Sequence, residues 1–110
     1  MFVKSYSFKI RNKNINKLRK IDREAANIYK KYGGGMYINL YKKEKYYTKF
    51  LLLEFYKSKK DFLRIMEYIN KNPKINRLWD NFLKIIINNI IEENFEVKNS
   101  DFNRLVKRKK

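Results

Sequence analysis

All three glycines of this 110-residue chain stand in one run, Gly33-Gly34-Gly35, and that run sets where the first helix must stop and the next extended segment begin. Ahead of it, apolar residues recur as Ile15, Leu18, Ile21, Ala25, Ile28, Tyr29 and Tyr32. Steps of three and four predict an amphipathic helix. Successive glycines reach the left-handed backbone that closes a helix. The run follows a helix and precedes a strand, so it is read as a C-cap. A phosphate-cradling loop needs the reverse order, with a helix N-terminus aimed at the anion.

Around that fixed point the remaining elements fall into order. Residues 2 to 10 alternate, with Phe2, Tyr6, Phe8 and Ile10 on one side and Val3, Ser5, Ser7 and Lys9 on the other, which predicts a strand. Met36 to Tyr41 and Tyr46 to Tyr56 are rich in aromatic and aliphatic residues and flank a charged Lys42 to Lys45 segment, the pattern of a hairpin. Leu51, Leu53 and Phe55 alternate with Phe50 and Leu52, so the third strand is expected to be apolar on both faces and central in its sheet. Ser58 with Asp61 predicts a capped helix start, and the stripe Phe62, Ile65, Met66, Ile69 follows.

Asn72-Pro73 restarts the chain as cap and first helical residue. The third helix is expected to carry Ile75, Leu78, Trp79, Phe82, Ile86 and Ile90, its stripe widened by Ile85, Ile87 and Ile91. Phe95 to Lys98 is a short candidate strand. Asn99-Ser100-Asp101 then caps a last turn with Phe102, Leu105 and Val106, ahead of a mobile Lys107 to Lys110 end. The reading is α+β: one ferredoxin-like split βαβ domain over residues 1–98, an antiparallel sheet with helices on one face, and a basic tail over 99–110.

Taken together, the first strand, the helix ending Ala25-Ala26-Asn27-Ile28-Tyr29-Lys30-Lys31-Tyr32-Gly33-Gly34, the hairpin closing Phe50 to Phe55, Asp61-Phe62, and Asn72-Pro73 followed by Trp79 and Phe82 resemble the dimeric α+β barrel superfamily. Antibiotic biosynthesis monooxygenases and NIPSNAP-type proteins belong to it. The resemblance spans roughly residues 2 to 98 and implies a homodimer whose subunits pack sheet against sheet. Superfamily members that degrade haem use an axial histidine. This chain has none, so that activity is not carried over.

Composition narrows the chemistry further. With no cysteine and no histidine, the chain cannot build a disulfide, a thiolate nucleophile, a Cys/His zinc site or a His-based triad. No cofactor or metal is expected. No apolar run approaches membrane-spanning length, and the start Met1-Phe2-Val3-Lys4 lacks the pattern of a secretory signal, so a cytoplasmic location is expected.

Charge is the strongest functional signal. The formal net charge is +17, with 17 basic and 4 acidic side chains in residues 1–60 and balance in residues 61–100. Lys13, Lys17, Lys20 and Arg23 belong to the polar side of the first helix, Lys42, Lys43, Lys45 and Lys49 to the hairpin, and Lys107 and Arg108 to the tail. With Tyr46 and Tyr47 beside the hairpin lysines, the leading reading is a non-enzymatic protein that binds nucleic acid, RNA over specific DNA, by phosphate contacts and stacking. The alternative is a monooxygenase-like enzyme or ligand-binding protein with a pocket formed by Tyr6, Phe8, Trp79 and Phe82, in which oxygen chemistry rests on the substrate itself. A structural interaction protein is the third reading. Trp79 by itself reads as core or interface, and Glu92, Glu93 and Glu96 as surface partners of Lys98 or the tail.

Overall fold

The computed structural model describes residues 1–108, apart from the side chains at 102 and 105–108. Four strands, β1 (Phe2–Arg11), β2 (Tyr37–Lys43), β3 (Tyr47–Tyr56) and β4 (Ile91–Glu96), form one antiparallel sheet in the order β2-β3-β1-β4. Helices α1 (Ile15–Lys31), α2 (Lys59–Asn70) and α3 (Pro73–Ile85) connect them, and α4 (Asn99–Arg108) closes the described chain. This is the split βαβ order, with β3 inserted between β1 and β2.

Side chains on opposed residues of an antiparallel pair share a face. The register, Phe2 opposite Tyr56 through Arg11 opposite Tyr47, therefore puts Phe2, Tyr6, Phe8 and Ile10 on the side of Tyr56, Leu52 and Phe50. Two buried clusters fill the space between this side and the helices. Phe2, Tyr56, Ile28, Ile65, Ile69 and Leu78 form one; Phe8, Ile10, Leu18, Phe50 and Phe82 form the other. The opposite face carries Ile38, Leu40, Ile91 and Phe95 in the open, 47–60% exposed, beside Leu51, Leu53 and Phe55.

Local signals read from the sequence hold at several ends. The Ser58 side chain accepts from the Asp61 N–H at 3.1 Å, and the Asn72 carboxamide accepts from the Lys74 and Ile75 N–H groups at 2.9 and 3.2 Å. Helix α1 ends at the glycine run, where Gly34 N–H donates to the Tyr29 carbonyl at 2.9 Å. Asn12 pins the hairpin: its Nδ2 donates to the Glu44 and Lys45 carbonyls while its Oδ1 accepts from buried Thr48 at 2.7 Å.

Three expectations are corrected. Helix α3 stops at Ile85, and Ile86 is extended (φ −75°, ψ 147°) and bridges to Ile10, with Ile87 N–H donating to the Lys9 carbonyl at 2.9 Å. Consecutive β-branched residues lose side-chain freedom in a helix, and an edge of β1 was available to pair with them. The last strand is Ile91–Glu96 instead of 95–98, so Ile91 leaves the predicted helix, and Glu92 and Glu93 enter a strand. Pairing with β1 overrides their poor strand propensity. Beyond it, α4 runs ten residues, longer than one turn. Lys109 and Lys110 of the expected free end lie outside the described residues.

Gly33 and Gly35 have φ of +94° and +97°, whereas Gly34 does not enter the left-handed region. A Cβ on Gly35 would also meet Lys30 Cγ at 2.7 Å; one on Gly34 meets Tyr29 at an ordinary 3.4 Å. Gly35→Ala should therefore cost about 1–2 kcal/mol in urea unfolding. Gly34→Ala should be neutral or stabilising by a few tenths of a kcal/mol, because it only restricts the unfolded chain.

Candidate functional site

Between the two core clusters the helix-facing side of the sheet is not filled. At this level α1 presents the small Ala25, and a cavity of about 120 Å3 remains. An apolar cavity near 150 Å3 admits one benzene ring, so this one is close to ring-sized. Tyr6, Phe8 and Leu52 line it from the sheet, and Leu78, Trp79 and Phe82 from α3. The four residues singled out in sequence as a pocket, Tyr6, Phe8, Trp79 and Phe82, thus border one space. Phe82 meets Phe8 edge-on at 4.9 Å and lies 5.5 Å from Trp79. Trp79, read by itself as core or interface, is 44% exposed at the rim.

The cavity's remaining wall is polar, and sequence reasoning missed it. Asp22 and Tyr29 reach it from α1 and Glu54 from β3. The signal was present: Asp22 sits one turn from Leu18 and three residues from Ala25, on the apolar stripe, and Glu54 sits between Leu52 and Tyr56 in the inward alternation of β3. Burial lifts the Glu54 carboxyl from 4.5 to about 7; the Tyr56 hydrogen bond and Lys4 oppose the shift, while Asp22 and Glu92 add to it. Burial alone lifts Asp22 from 3.8 to about 6. The Tyr56 hydroxyl donates to Glu54 Oε1 at 2.9 Å. Burial, followed by the Glu54 charge, pushes the phenols of Tyr6, Tyr29 and Tyr56 far above neutrality, so they stay protonated donors. A carboxyl poised near pH 7 beside protonated phenols can accept a proton from a ligand and support the anion that results.

Asn39 of β2 donates through Nδ2 to Asp22 Oδ2 at 3.3 Å, and its own Oδ1 is buried with no hydrogen-bond partner among the described residues. No group of three or more Asp, Glu, His or Cys among the described residues could hold a metal.

The basic residues proposed in sequence for phosphate contact do not all converge on one surface. Lys13, Lys17, Lys20 and Arg23 are exposed on or just before α1. Lys42 and Lys49, opposed in register, share the bare sheet face, where Lys9 stands over the Tyr47 ring at 5.2 Å. Lys43, opposed to Thr48, is on the helix side. Lys45 stands over the exposed Tyr46 ring at 5.2 Å at the hairpin tip. Period-two alternation sends neighbouring lysines of one strand to opposite faces, so a run in sequence is not a patch in space. The side chains of Lys107 and Arg108 lie outside the described residues. Among the described residues Glu92, Glu93 and Glu96 form none of the ion pairs expected of them, the two bridges found being Lys42–Glu44 and Arg64–Asp61.

A folded-state carboxyl pKa above its unfolded value means that the native protein binds the proton more tightly. Stability from Glu54 and Asp22 is thus fully present below about pH 4 and is lost as pH rises through 6 to 7. Glu54→Gln should flatten this fall and raise stability at pH 8 by up to about 3 kcal/mol relative to wild type. Urea midpoints of both proteins at pH 5 and pH 8 check this.

No protein-family model and no curated protein sequence matches the chain. Solved structures match it over most of its length. A putative antibiotic biosynthesis monooxygenase from Nitrosomonas europaea superposes with TM-score 0.68 at 16% identity, covering 88% of this chain and 98% of its own. An uncharacterized NIPSNAP domain protein from Burkholderia xenovorans gives 0.69 at 10%, covering 90% and 96%. SnoaB, a cofactor-independent oxygenase from Streptomyces nogalater, gives 0.66 at 9%, covering 89% and 94%. The chain has the ferredoxin-like fold of the dimeric α+β barrel proteins, as the resemblance implied. None of these names refers to nucleic acid. No described helix is long and apolar enough to cross a membrane.

Proposed function

We propose that the chain binds a small aromatic molecule between sheet and helices and removes a proton from it, with Glu54 as the base. One observation carries the reading: a ring-sized apolar cavity whose single polar wall holds a carboxyl poised near pH 7. The likeness in fold to a cofactor-independent oxygenase supports the next step. A carbanion flanking an aromatic ring can pass electrons directly to dioxygen. A methylene then becomes a carbonyl, one oxygen atom entering the product and the other leaving as water with the two hydrogens, so the substrate supplies every electron. Tyr29 and Tyr6, held protonated, donate to the oxyanion of the enolate. This replaces nucleic-acid binding as the first reading, since the basic side chains are dispersed over several faces.

β-Tetralone, one benzene ring fused to an enolisable ketone, tests the base. Wild-type protein in D2O should speed exchange of its C–H protons, with a rate rising to a plateau above about pH 7. Glu54→Gln should lower that rate by about 100-fold or more. Exchange no faster than in buffer ends the catalytic reading, and an unchanged Trp79 fluorescence ends the binding one.

The bare sheet face is the proposed seat of a second copy. Its rows of Ile38 with Leu53 and Leu40 with Leu51 are cross-strand neighbours, and β1 contributes only Ser5 and Ser7 between them and β4, leaving a flat surface. Sedimentation should show a dimer at micromolar concentration. Leu53→Lys should convert it to a folded monomer, because a lysine at the centre of a dry interface is an unpaired buried charge.

A further inference from the structure

Beside the cavity, α1 and the edge strand β2 border a second concave region that shares Asp22 with it. Asp22 borders the cavity, and it also borders two open hollows of about 300 and 480 Å3 between α1 and the edge strand β2. One wall of this groove is cationic: Arg19 and Arg23, one helical turn apart, with Lys30 further along. The facing wall is the inward side of β2, which brings Tyr37, Asn39, Tyr41 and Lys43. Among the described residues none of these four cations makes an ion pair or a side-chain hydrogen bond. Both ion pairs of the described chain lie elsewhere, although 17 basic side chains crowd residues 1–60. Among the described residues the one acid lining the groove is Asp22, which accepts from Asn39. Among the described residues the buried Oδ1 of Asn39 in turn has no donor. Arg19, Arg23 and Lys30 with Tyr37 border one hollow, and Arg19 and Lys43 with Tyr41 the other, cations and rings that suit an anion attached to a ring.

We infer that this groove recognises the acidic group of the ligand, so that the molecule bound in the cavity is an anionic aromatic compound, a carboxylate or a phosphate monoester, anchored by Arg19 and Arg23 with its ring directed past Asp22 towards Trp79. This rests on the proposed cavity function and adds to it the class of ligand. The division of labour follows from the walls: the cavity supplies apolar surface and one base, with no lysine or arginine among its described lining residues, whereas the groove supplies two arginines one helical turn apart, whose guanidinium groups match carboxylates and phosphates. The separation also keeps the anion away from Glu54, whose charge would repel it.

Phenyl phosphate, 4-hydroxybenzoate and uncharged phenol are the probes, with the fluorescence of the single tryptophan, Trp79, reporting the cavity and the Arg19 and Arg23 side-chain Nε–H resonances reporting the groove. The wild-type protein should bind at least one of the two anions about tenfold or more tightly than phenol, moving both reporters, and raised salt should erase the preference. Comparing the two anions identifies whether phosphate or carboxylate is the better fit. Arg19→Gln/Arg23→Gln should remove the preference and leave phenol binding unchanged. If phenol alters Trp79 but the anions bind no better, or the double variant keeps their advantage, the groove assignment is overturned while the cavity reading stands. If the anions shift Arg19 and Arg23 and none of the probes alters Trp79, the cavity reading fails and the groove is not its entrance. If an oligouridylate displaces phenyl phosphate from both arginines with a steep salt dependence, the groove belongs to single-stranded nucleic acid, and the small-ligand assignment falls.

Discussion

The ten-residue pairing of β1 with β3 decides which side of the sheet every side chain of the two central strands occupies. Because strand side chains alternate with period two, a slip of one residue would turn Phe2, Phe8 and Ile10 outwards and bring Val3, Ser5 and Ser7 beneath the helices. Neither core cluster would survive, because both are anchored on this side. The same register carries Glu54 inward beside Tyr56. The polar wall of the cavity is therefore a consequence of the pairing that builds the core.

An ionisable group in that position has a cost. Glu54 and Asp22 stand where apolar side chains would pack, and their raised pKa values express the unfavourable transfer of charge out of water. A domain selected for stability alone would carry leucine or glutamine at these sites. Small residues at Ala25 and Ala26 complete the arrangement by leaving space instead of filling it. Unfilled volume and a destabilised carboxyl at one place, with well-filled clusters on either side, are what make this place the candidate site.

The net charge acts on a different scale. Cations distributed over the exposed side of α1, the hairpin tip and both faces of the hairpin strands raise the potential around the whole molecule and favour the approach of anions in general. Binding requires several of them to converge on one concave place with room for a ligand. Arg19, Arg23 and Lys30 border one hollow together, because a helix keeps residues three and four apart on one side, and Tyr37 of the edge strand faces them.

Local chemistry in the sequence determined the elements. The glycine run ended α1, Ser58 and Asn72 capped α2 and α3, and alternation identified β1 and the hairpin, because each of these signals acts within a few residues. The apolar pocket residues Tyr6, Phe8, Trp79 and Phe82 were legible for the same reason, lying on stripes whose inward direction follows from periodicity. The end of α3 and the position of β4 were decided by tertiary structure, since the free edge of β1 drew Ile86 and then Ile91–Glu96 into extended pairing, the acidic residues and Asn94 of β4 against their local preference. Tertiary structure also decided the polar half of the site and the scattering of the lysines. Asp22 and Glu54 are 32 residues apart in sequence and meet only when α1 lies across β3, and Lys42 and Lys43 part company only when β2 joins the sheet. Periodicity says which side of an element a residue occupies, but which other element that side will face depends on contacts between residues far apart in the chain.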